Sequence, residues 1–159
     1  MDRLRMFLAT SCGLGLSPWA PGTFGTLGGV AIAWVLRGTE AYLLWVLLTI
    51  AVLYALGRVL GSWAEVHAGG KDPQFFVLDE VVGYLVTVAW VQGPSVLTLL
   101  MAFLFFRLFD ITKPPPIRRL ERAGGGDGIM LDDVMAGVYA LACLTLVRLF
   151  FLEPERWSF

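Results

Sequence analysis

The chain has 159 residues, of which 57% are hydrophobic and only 16% are charged, and its mean hydropathy is +0.72. Ordinary globular domains carry about 25% charged residues, so the composition predicts a membrane protein, or an unusually apolar soluble helical protein, with one domain over residues 1–159. The formal net charge of −1 argues against nucleic-acid binding.

The N-terminal segment has basic residues followed by an apolar run, but SPWAPG at 17–22 interrupts that run and no cleavage site closes it. We therefore expect this segment to be retained rather than cleaved as a signal peptide. Cys12 in this segment and Cys143 near the other end lie in apolar context without metal-ligand spacing. Both are expected to be reduced core residues.

Five apolar segments follow, and each predicts a helix: 24–36, 41–64, 79–92, 95–109 and 132–150. No segment shows the alternation typical of a strand. A helix needs about 20 apolar residues to cross a bilayer, and several of these segments are shorter. The sequence therefore predicts an all-α, compact helical bundle with about five membrane-spanning or membrane-dipping helices.

The charges divide between the two ends of this bundle. If the first helix runs outward, the turns at 37–40 and 92–95 face outside, and the segments 1–23, 65–78 and 110–131 face inside. The outer side then holds Arg37 and Arg156. The inner side holds most of the remaining charges: Arg3, Arg5, Lys71, Lys113, Arg118, Arg119, Arg122, Glu65, Asp72, Asp79, Glu80, Asp110, Glu121, Asp127, Asp132 and Asp133. This excess of inner lysine and arginine agrees with the positive-inside rule.

Two short stretches are similar to each other: LDEVVG at 78–83 and LDDVMAG at 131–137. In each, two adjacent acids open an apolar helix, and a glycine, Gly83 or Gly137, follows one turn after one of the acids. A glycine on that face lets a second helix approach closely.

The acids have two interpretations. An acid in the first turn of a helix can cap it or favour its dipole by about 0.3–1 kcal/mol. Carboxylates that converge repel each other unless a cation lies among them, and oxygen ligands of this kind suit Mg²⁺. The repetition of the pair favours the metal interpretation, with the candidates Asp79, Glu80, Asp110, Asp132 and Asp133.

Three further segments offer candidates for phosphate or proton chemistry. In SPWAPGTFGTLGG at 17–29, Thr23 and Thr26 lie near a helix start and could bind phosphate, or simply cap the helix. In RLFDITKPPPIRRLER, Arg107 and Lys113 flank Asp110, and the prolines fix the corner beside Lys113. His67 is the only histidine and is either a general acid or base or an incidental loop residue. The arginines at 118, 119 and 122 are interpreted as contacts to anionic headgroups.

Together these motifs resemble the phosphatidylglycerophosphatase A family. The resemblance rests on SPWAPGTFGTLGG, KDPQFFVLDEVVGY, FRLFDITKPPPI and GGGDGIMLDDVMAGVY, in this order, from about residue 13 to 140. It implies a Mg²⁺-dependent lipid phosphatase of the bacterial inner membrane that converts phosphatidylglycerophosphate to phosphatidylglycerol and phosphate in phospholipid biosynthesis. It also implies a central helix surrounded by others.

With the resemblance, the candidate site takes a definite form. Asp79, Glu80, Asp132 and Asp133 are the expected metal ligands, with Asp110 among the catalytic acids. Thr23, Thr26, Arg107 and Lys113 are the expected phosphate contacts, and the active site is expected to face the cytoplasm. Pro115 and Asp127 depart from the family pattern, which puts loop shape in doubt rather than the acids.

Two other functions stay open at this point. A CDP-alcohol transferase-like phospholipid synthase also uses acids at the membrane surface and Mg²⁺, but its full signature is absent and only DGIMLDD is similar to part of it. A small metal transporter would need acids in the middle of its spans, whereas these lie at predicted helix ends. For the phosphatase, the absence of a known aspartyl or cysteinyl nucleophile motif favours direct attack by water over a phosphorylated aspartate.

Overall fold

The computed structural model describes residues 2–90, 92–121 and 124–151, and within these ranges it contains helices and no strands. A short 3₁₀ helix, Leu14–Leu16, follows the first α-helix. The α-helices of the described ranges are α1 (Asp2–Ala9), α2 (Pro21–Leu36), α3 (Tyr42–Ala68), α4 (Leu78–Thr87), α5 (Val96–Thr112), α6 (Ile117–Glu121) and α7 (Gly125–Phe151). The predicted all-α class is confirmed.

Helices α2, α3, α4, α5 and α7 correspond to the five predicted segments, with two substantial changes of boundary. The helix predicted at 79–92 ends at Thr87, and the helix predicted at 132–150 begins at Gly125. Helices α1 and α6 have no counterpart in the prediction. Arg122 and Arg156 of the charge pattern lie outside the described residues.

Helix α4 ends early because the chain beyond it is held by neighbouring segments. The Tyr42 hydroxyl of α3 and the Trp90 N–H both donate to the Val88 carbonyl oxygen, at 3.1 and 2.8 Å. Gly93 then packs so closely on Arg37 that a Cβ at this position would overlap the Arg37 carbonyl group. The apolar sequence continues past Thr87, but these contacts turn the backbone out of the helix.

Helix α4 lies at the centre of the bundle and contacts α2, α3, α5 and α7. Eight of its ten residues are buried. Ten residues make a helix about 15 Å long, which is half of the roughly 30 Å hydrocarbon core of a bilayer. The expected central helix is therefore present, and it is a short core helix rather than a membrane span.

Glycines bring α4 and α7 into close contact, as their spacing predicts. A Cβ on Gly83 would lie 2.6 Å from the Asp133 carbonyl oxygen, and a Cβ on Gly137 would overlap the Gly83 carbonyl oxygen. The two glycines of the similar stretches thus face each other's helices. This close approach sets the separation of the acids that α4 and α7 carry.

The two ends of the bundle differ as the charge pattern predicts. At one end, the Val77 N–H donates to the Ala9 carbonyl oxygen at 3.1 Å, and a Cβ on Gly124 would lie 3.2 Å from Lys71 Nζ. The segments 1–23, 65–78 and 110–131 therefore meet at this end. At the opposite end, Gly93 contacts Arg37, so the turns at 37–40 and 92–95 also lie together.

Two helices in the described part of the chain are long and apolar enough to cross a membrane, Tyr42–Ala68 and Gly125–Phe150, with mean hydropathies of 2.2 and 1.7 over their most apolar stretches. Only 17% of that stretch of α3 is buried within the protein. The core helix of a soluble protein would be mostly buried, so α3 is better suited to face lipid. These features indicate a membrane protein.

Both cysteines are free, as expected, but the core location predicted for Cys12 is wrong. Cys12 is exposed, whereas Cys143 is half-buried. Cys12 lies in a tight turn after α1, where Ser11, Cys12 and Gly13 have φ of 47°, 63° and 96°. This turn directs the thiol outward.

Candidate active site

Three acids converge where α4 meets α7. One carboxylate oxygen from each of Asp79, Glu80 and Asp133 lies within 4.8 Å of the corresponding oxygens of the other two. Asp79 and Asp133 are only 6% and 3% exposed. The first turn of α4 supplies the first two acids, and the third turn of α7 supplies the third.

The position of the second pair excludes capping as its role. Helix α7 begins at Gly125, so Asp132 and Asp133 lie two turns inside it rather than at its start. The start of α7 is capped from α3 instead: the Gly125 N–H donates to Glu65 Oε2 at 2.9 Å, and the Gly126 N–H donates to Ser62 Oγ at 3.0 Å. Asp132 and Asp133 are therefore available for another function.

The first pair does begin a helix, yet no side chain caps α4 at Val77. Asp79 Oδ1 accepts a hydrogen bond from the Glu80 N–H at 3.0 Å, and Asp132 Oδ1 accepts one from the Asp133 N–H at 3.0 Å. The first acid of each pair thus has the same local geometry. Asp79 and Glu80 do not cap α4 at Val77 by a hydrogen bond, but their position in its first turn still lets them interact favourably with the helix dipole.

The converging acids are unfavourable as free anions. Burial raises the pKa of Asp79 well above its usual value, and the nearby Glu80, Asp133 and Asp72 raise it further. Burial likewise raises the pKa of Glu80 to about 7. Glu80 is partly exposed as a residue, but its Oε2 atom is buried and has no hydrogen-bond partner in the protein. Clustered carboxylates with an unpartnered buried oxygen are the donor set that fits a hard divalent cation.

Arg107 and Asp110 lie one turn apart on α5 and form an ion pair, with side chains 18% and 13% exposed. The charge of Asp110 contributes to the raised pKa of Glu80, so this pair adjoins the acid cluster. A Cβ on Gly22, at the start of α2, would overlap Glu80 Oε1 and lie 3.1 Å from Arg107 Nη1. The glycine loop before α2 therefore packs directly against the acids and the arginine.

Lys113 connects the end of α5 to α7. Its Nζ atom lies 2.7 Å from Asp132 Oδ2, with side chains 20% and 5% exposed. Lys113 has a φ of 41° at the end of α5, immediately before the prolines. Asp132 is thus paired with a cation, whereas Asp133 faces the other acids.

The remaining candidates have separate surroundings. Thr26 is fully buried, and its hydroxyl donates to the Gly22 carbonyl oxygen at 2.8 Å, while Thr23 is half-buried in the first turn of α2. His67 stacks on Trp63 with ring centroids 4.9 Å apart and meets the edge of Phe75 at 6.4 Å. Among the described residues, the three-acid cluster does not include His67.

Sequence reasoning missed several contributors to this region. Asp72 affects the pKa of Asp79 through its charge, and Gly22 makes room for Glu80 and Arg107. Both belong to motifs quoted in the sequence analysis, but the sequence does not show which residues they lie beside in the fold. The capping side chains Ser62 and Glu65 belong to a different helix from the one they cap, so no local pattern identifies them.

The model of one protein family, described as phosphatidylglycerophosphatase A, matches residues 7–148. The chain belongs to the phosphatidylglycerophosphatase A family. Asp127, which departs from the family pattern, accepts a hydrogen bond from Arg58 Nη2 at 2.9 Å in a half-exposed ion pair. Asp127 therefore pairs with Arg58 and is not one of the three clustered acids.

Two relatives that carry the name of this family, and a third with a different name, match most of the chain. A phosphatidylglycerophosphatase A from Haemophilus influenzae is 36% identical over 146 residues, which cover 91% of this chain and 89% of the relative. One from Escherichia coli is 34% identical over 154 residues, covering 92% and 87%. A protein from Bacteroides thetaiotaomicron with the provisional name phosphatidylinositol-3-phosphatase is 34% identical over 151 residues, covering 91% and 94%. No solved structure gives a significant match.

Proposed function

We propose that this chain is a Mg²⁺-dependent phosphatase that hydrolyses phosphatidylglycerophosphate to phosphatidylglycerol and phosphate in phospholipid biosynthesis. The observation that carries the proposal is the buried cluster of Asp79, Glu80 and Asp133 in a member of the phosphatidylglycerophosphatase A family. Family membership favours this function over the CDP-alcohol transferase-like and transporter alternatives.

The residues of the site divide into two groups. Asp79, Glu80 and Asp133 would hold Mg²⁺, with Asp132 orienting Lys113 beside them. When bound, Mg²⁺ supplies charge neutralisation for the phosphate and lowers the pKa of a water ligand. The assignment of each acid to one role stays a prediction.

Arg107 and Lys113 are the proposed phosphate-binding cations. Each is held by a carboxylate, Asp110 or Asp132, and this pairing fixes the position of a long, flexible side chain before the substrate arrives. A phosphomonoester dianion at the acid end of the bundle would then lie between cations on α5 and the start of α2. Water is the proposed nucleophile, and the acids that α4 and α7 carry would orient it.

The protein is proposed to lie in the bacterial inner membrane with this site facing the cytoplasm. The excess of inner lysine and arginine and the apolar surface of α3 support this orientation. Lys71→Cys and Gly38→Cys, each in a background lacking Cys12 and Cys143, should be labelled from opposite sides of sealed vesicles, with position 71 cytoplasmic. Labelling from the same side would contradict the orientation.

The proposed activity is tested with purified protein in detergent micelles. We expect Mg²⁺-dependent phosphate release from phosphatidylglycerophosphate, with a higher kcat/KM than from phosphatidylinositol 3-phosphate, the substrate class in the name of the Bacteroides relative. Faster hydrolysis of phosphatidylinositol 3-phosphate would show that this lipid, rather than phosphatidylglycerophosphate, is the preferred substrate. Release of CMP from CDP-diacylglycerol with an alcohol acceptor, and no phosphate release, would overturn the phosphatase.

A further inference from the structure

Four large apolar side chains lie exposed in the first part of the chain. Leu4 and Phe7 belong to α1, Leu16 ends the 3₁₀ helix, and Trp19 follows three residues later; each is 51–80% exposed. Phe7 and Leu16 line the same open hollow of about 410 Å³, so α1 and the 3₁₀ helix share one surface. These four side chains are called the N-terminal apolar patch.

The opposite side of α1 is fixed to the bundle. Ala9 is fully buried and packs in one cluster with Leu60 and Ala64 of α3. Its carbonyl oxygen also accepts the hydrogen bond from the Val77 N–H, directly before α4. The core therefore determines the position of α1, and the patch lies on the exposed side.

A local turn presents Trp19 outward. The Trp19 N–H donates to Ser17 Oγ at 3.3 Å, and the Ser17 hydroxyl donates to the Trp19 carbonyl oxygen at 2.9 Å. These bonds fix the Trp19 backbone, while the residue remains 80% exposed. Tryptophan is enriched at membrane–water interfaces, because its ring is apolar and its N–H is polar. A fixed, exposed tryptophan therefore suits such an interface.

Cations accompany the apolar side chains of α1. Arg3 and Arg5 flank Leu4 in the sequence, and Arg3 lines the same hollow as Phe7. The one acid of α1 is Asp2, whose Oδ1 lies 3.9 Å from Arg5 Nη1, so the helix is net positive. Bulk water would leave the apolar patch hydrated, and the hydrocarbon core would remove water from the arginines. Only the boundary between them suits both groups, above all where the headgroups are anionic.

The patch is continuous with the lipid-facing surface of the bundle. Helix α1 is about 12 Å long and therefore cannot cross a bilayer. The chain around the turn after α1 adjoins α2 and α3, since Leu8 and Leu14 line an apolar groove together with Ile32 and Leu53. Only 17% of the most apolar stretch of α3 is buried within the protein, so α3 faces lipid. The lipid around α3 therefore also adjoins the segment that carries the patch.

We propose that residues 2–19 form an interfacial anchor that binds an anionic lipid surface. The N-terminal apolar patch enters the leaflet at the acid end of the bundle, and Arg3 and Arg5 contact its anionic headgroups. This surface is separate from the acids and cations of the candidate active site.

The anchor is joined to the acid cluster at two points. Val77, which is bonded to the end of α1, comes two residues before Asp79. Trp19 comes three residues before Gly22, which packs against Glu80. Binding of the anchor to the membrane surface therefore places the acid cluster near the level of the phosphate headgroups.

The depth of the patch is measured with a fluorescent label. Leu4→Cys, Phe7→Cys and Trp19→Cys, each in a background lacking Cys12 and Cys143, are labelled with nitrobenzoxadiazole and reconstituted into vesicles of phosphatidylcholine and phosphatidylglycerol. A fraction of the lipid carries a nitroxide quencher, either near the ester bond or near the end of the acyl chain. We expect the shallow nitroxide to quench all three labels several-fold more strongly than the deep one.

Two further labels calibrate the measurement. Gly70→Cys is the matched control at the same end of the bundle, because a Cβ there has nothing within 4 Å, and neither nitroxide should quench it. Val52→Cys lies on the exposed side of α3 and should be quenched more strongly by the deep nitroxide.

Stronger quenching of the patch labels by the deep nitroxide would overturn the proposal, because α1 would then lie in the hydrocarbon core. Quenching by neither nitroxide would also overturn it, since the patch would then face water, a second copy of the chain or another protein. Both measurements are made without substrate, so they do not depend on the proposed activity.

The charge of the lipid surface is tested separately. Vesicles of phosphatidylcholine alone should reduce the shallow quenching of the label at position 4 several-fold, and Arg3→Gln should remove most of this lipid dependence. Equal quenching in the two kinds of vesicle, without the Arg3 substitution, would contradict the binding of anionic headgroups.

Discussion

The two acid pairs have similar sequences and different positions in the fold. Asp79 and Glu80 begin the buried central helix, and both contribute to the three-acid cluster. Asp132 and Asp133 lie inside a long helix, where only Asp133 joins the cluster and Asp132 pairs with Lys113. Neighbouring residues on a helix differ by about 100° in direction, so the two acids of a pair can reach one cluster, as on α4, or different partners, as on α7. One acid of the α7 pair can therefore face the acids while the other holds a cation.

The largest effect is expected from Asp133→Asn, which tests whether Asp133 acts with Asp79 and Glu80 in the acid cluster. We expect kcat to fall by more than about 100-fold, because loss of even an outer partner of a metal costs about 10–100-fold. The variant should fold, since a neutral amide removes a buried negative charge that faces Asp79 and Glu80. In EDTA it should melt no lower than the wild type, and Mg²⁺ should raise the melting temperature of the wild type alone.

Asp127→Asn is the matched control for that prediction. Asp127 lies on the same helix, but its side chain is half exposed and paired with Arg58 rather than with the cluster. Its activity should stay close to that of the wild type. A loss of activity as large as that of Asp133→Asn would show that catalysis also depends on an acid outside the cluster. The proposed difference in role between Asp133 and Asp127 would then be wrong.

The other half of the comparison is tested by Asp132→Asn and Lys113→Gln. Each should reduce kcat/KM by about 10–100-fold if, as proposed, Asp132 holds Lys113 for the phosphate. The double variant should lose little more than either single variant, since both remove one ion pair. Strictly multiplicative losses would indicate that Asp132 binds the metal independently of Lys113.

The sequence could predict the class of the fold, the order of its main helices and the acids, because apolar runs and acid pairs are local signals. It could not predict that α7 begins at Gly125. Glycines are poor helix formers, so the glycine run before Asp127 does not indicate the start of a helix. Ser62 and Glu65 bind the first N–H groups of α7, and a Cβ at Gly126 would overlap the Arg58 carbonyl group. Long-range contacts of this kind have no signature within the segment itself.

The end of α4 was missed for a related reason. Val88, Ala89 and Trp90 continue an apolar run, and composition alone does not separate a membrane span from a buried core helix. Hydrogen bonds to the Val88 carbonyl oxygen decide the boundary in the folded chain. The convergence of Asp79, Glu80 and Asp133 depends on the close contact between α4 and α7, so the sequence predicted the candidates but not which three would meet.

A smaller effect is expected when the spacing between the two pairs is changed. Gly83→Ala would place a Cβ 2.6 Å from the Asp133 carbonyl oxygen and against the Phe106 ring. Overpacking of this kind costs about 1–3 kcal/mol, and the displaced α7 should also reduce kcat. Gly70→Ala is the control, because a Cβ at Gly70 has nothing within 4 Å. Equal unfolding free energies for the two variants in denaturant would contradict the close α4–α7 contact.

The smallest effect is expected from Ser62→Ala, which changes the start of α7 and not its acids. Loss of the hydrogen bond from the Gly126 N–H should lower the free energy of unfolding by about 1 kcal/mol. The activity of the folded enzyme should be unchanged at temperatures well below its melting point. A large fall in kcat without loss of stability would mean that the cap, and not the acids alone, belongs to the catalytic machinery.

The central claim is that the three-acid cluster holds a divalent cation on which phosphate release depends. The most direct measurement is phosphate release from phosphatidylglycerophosphate by the purified protein in EDTA, followed by titration with Mg²⁺. We predict loss of activity in EDTA and its full return with Mg²⁺, and we expect Asp79→Asn to need a higher Mg²⁺ concentration for half of its own maximal rate. Undiminished turnover in EDTA would contradict the claim.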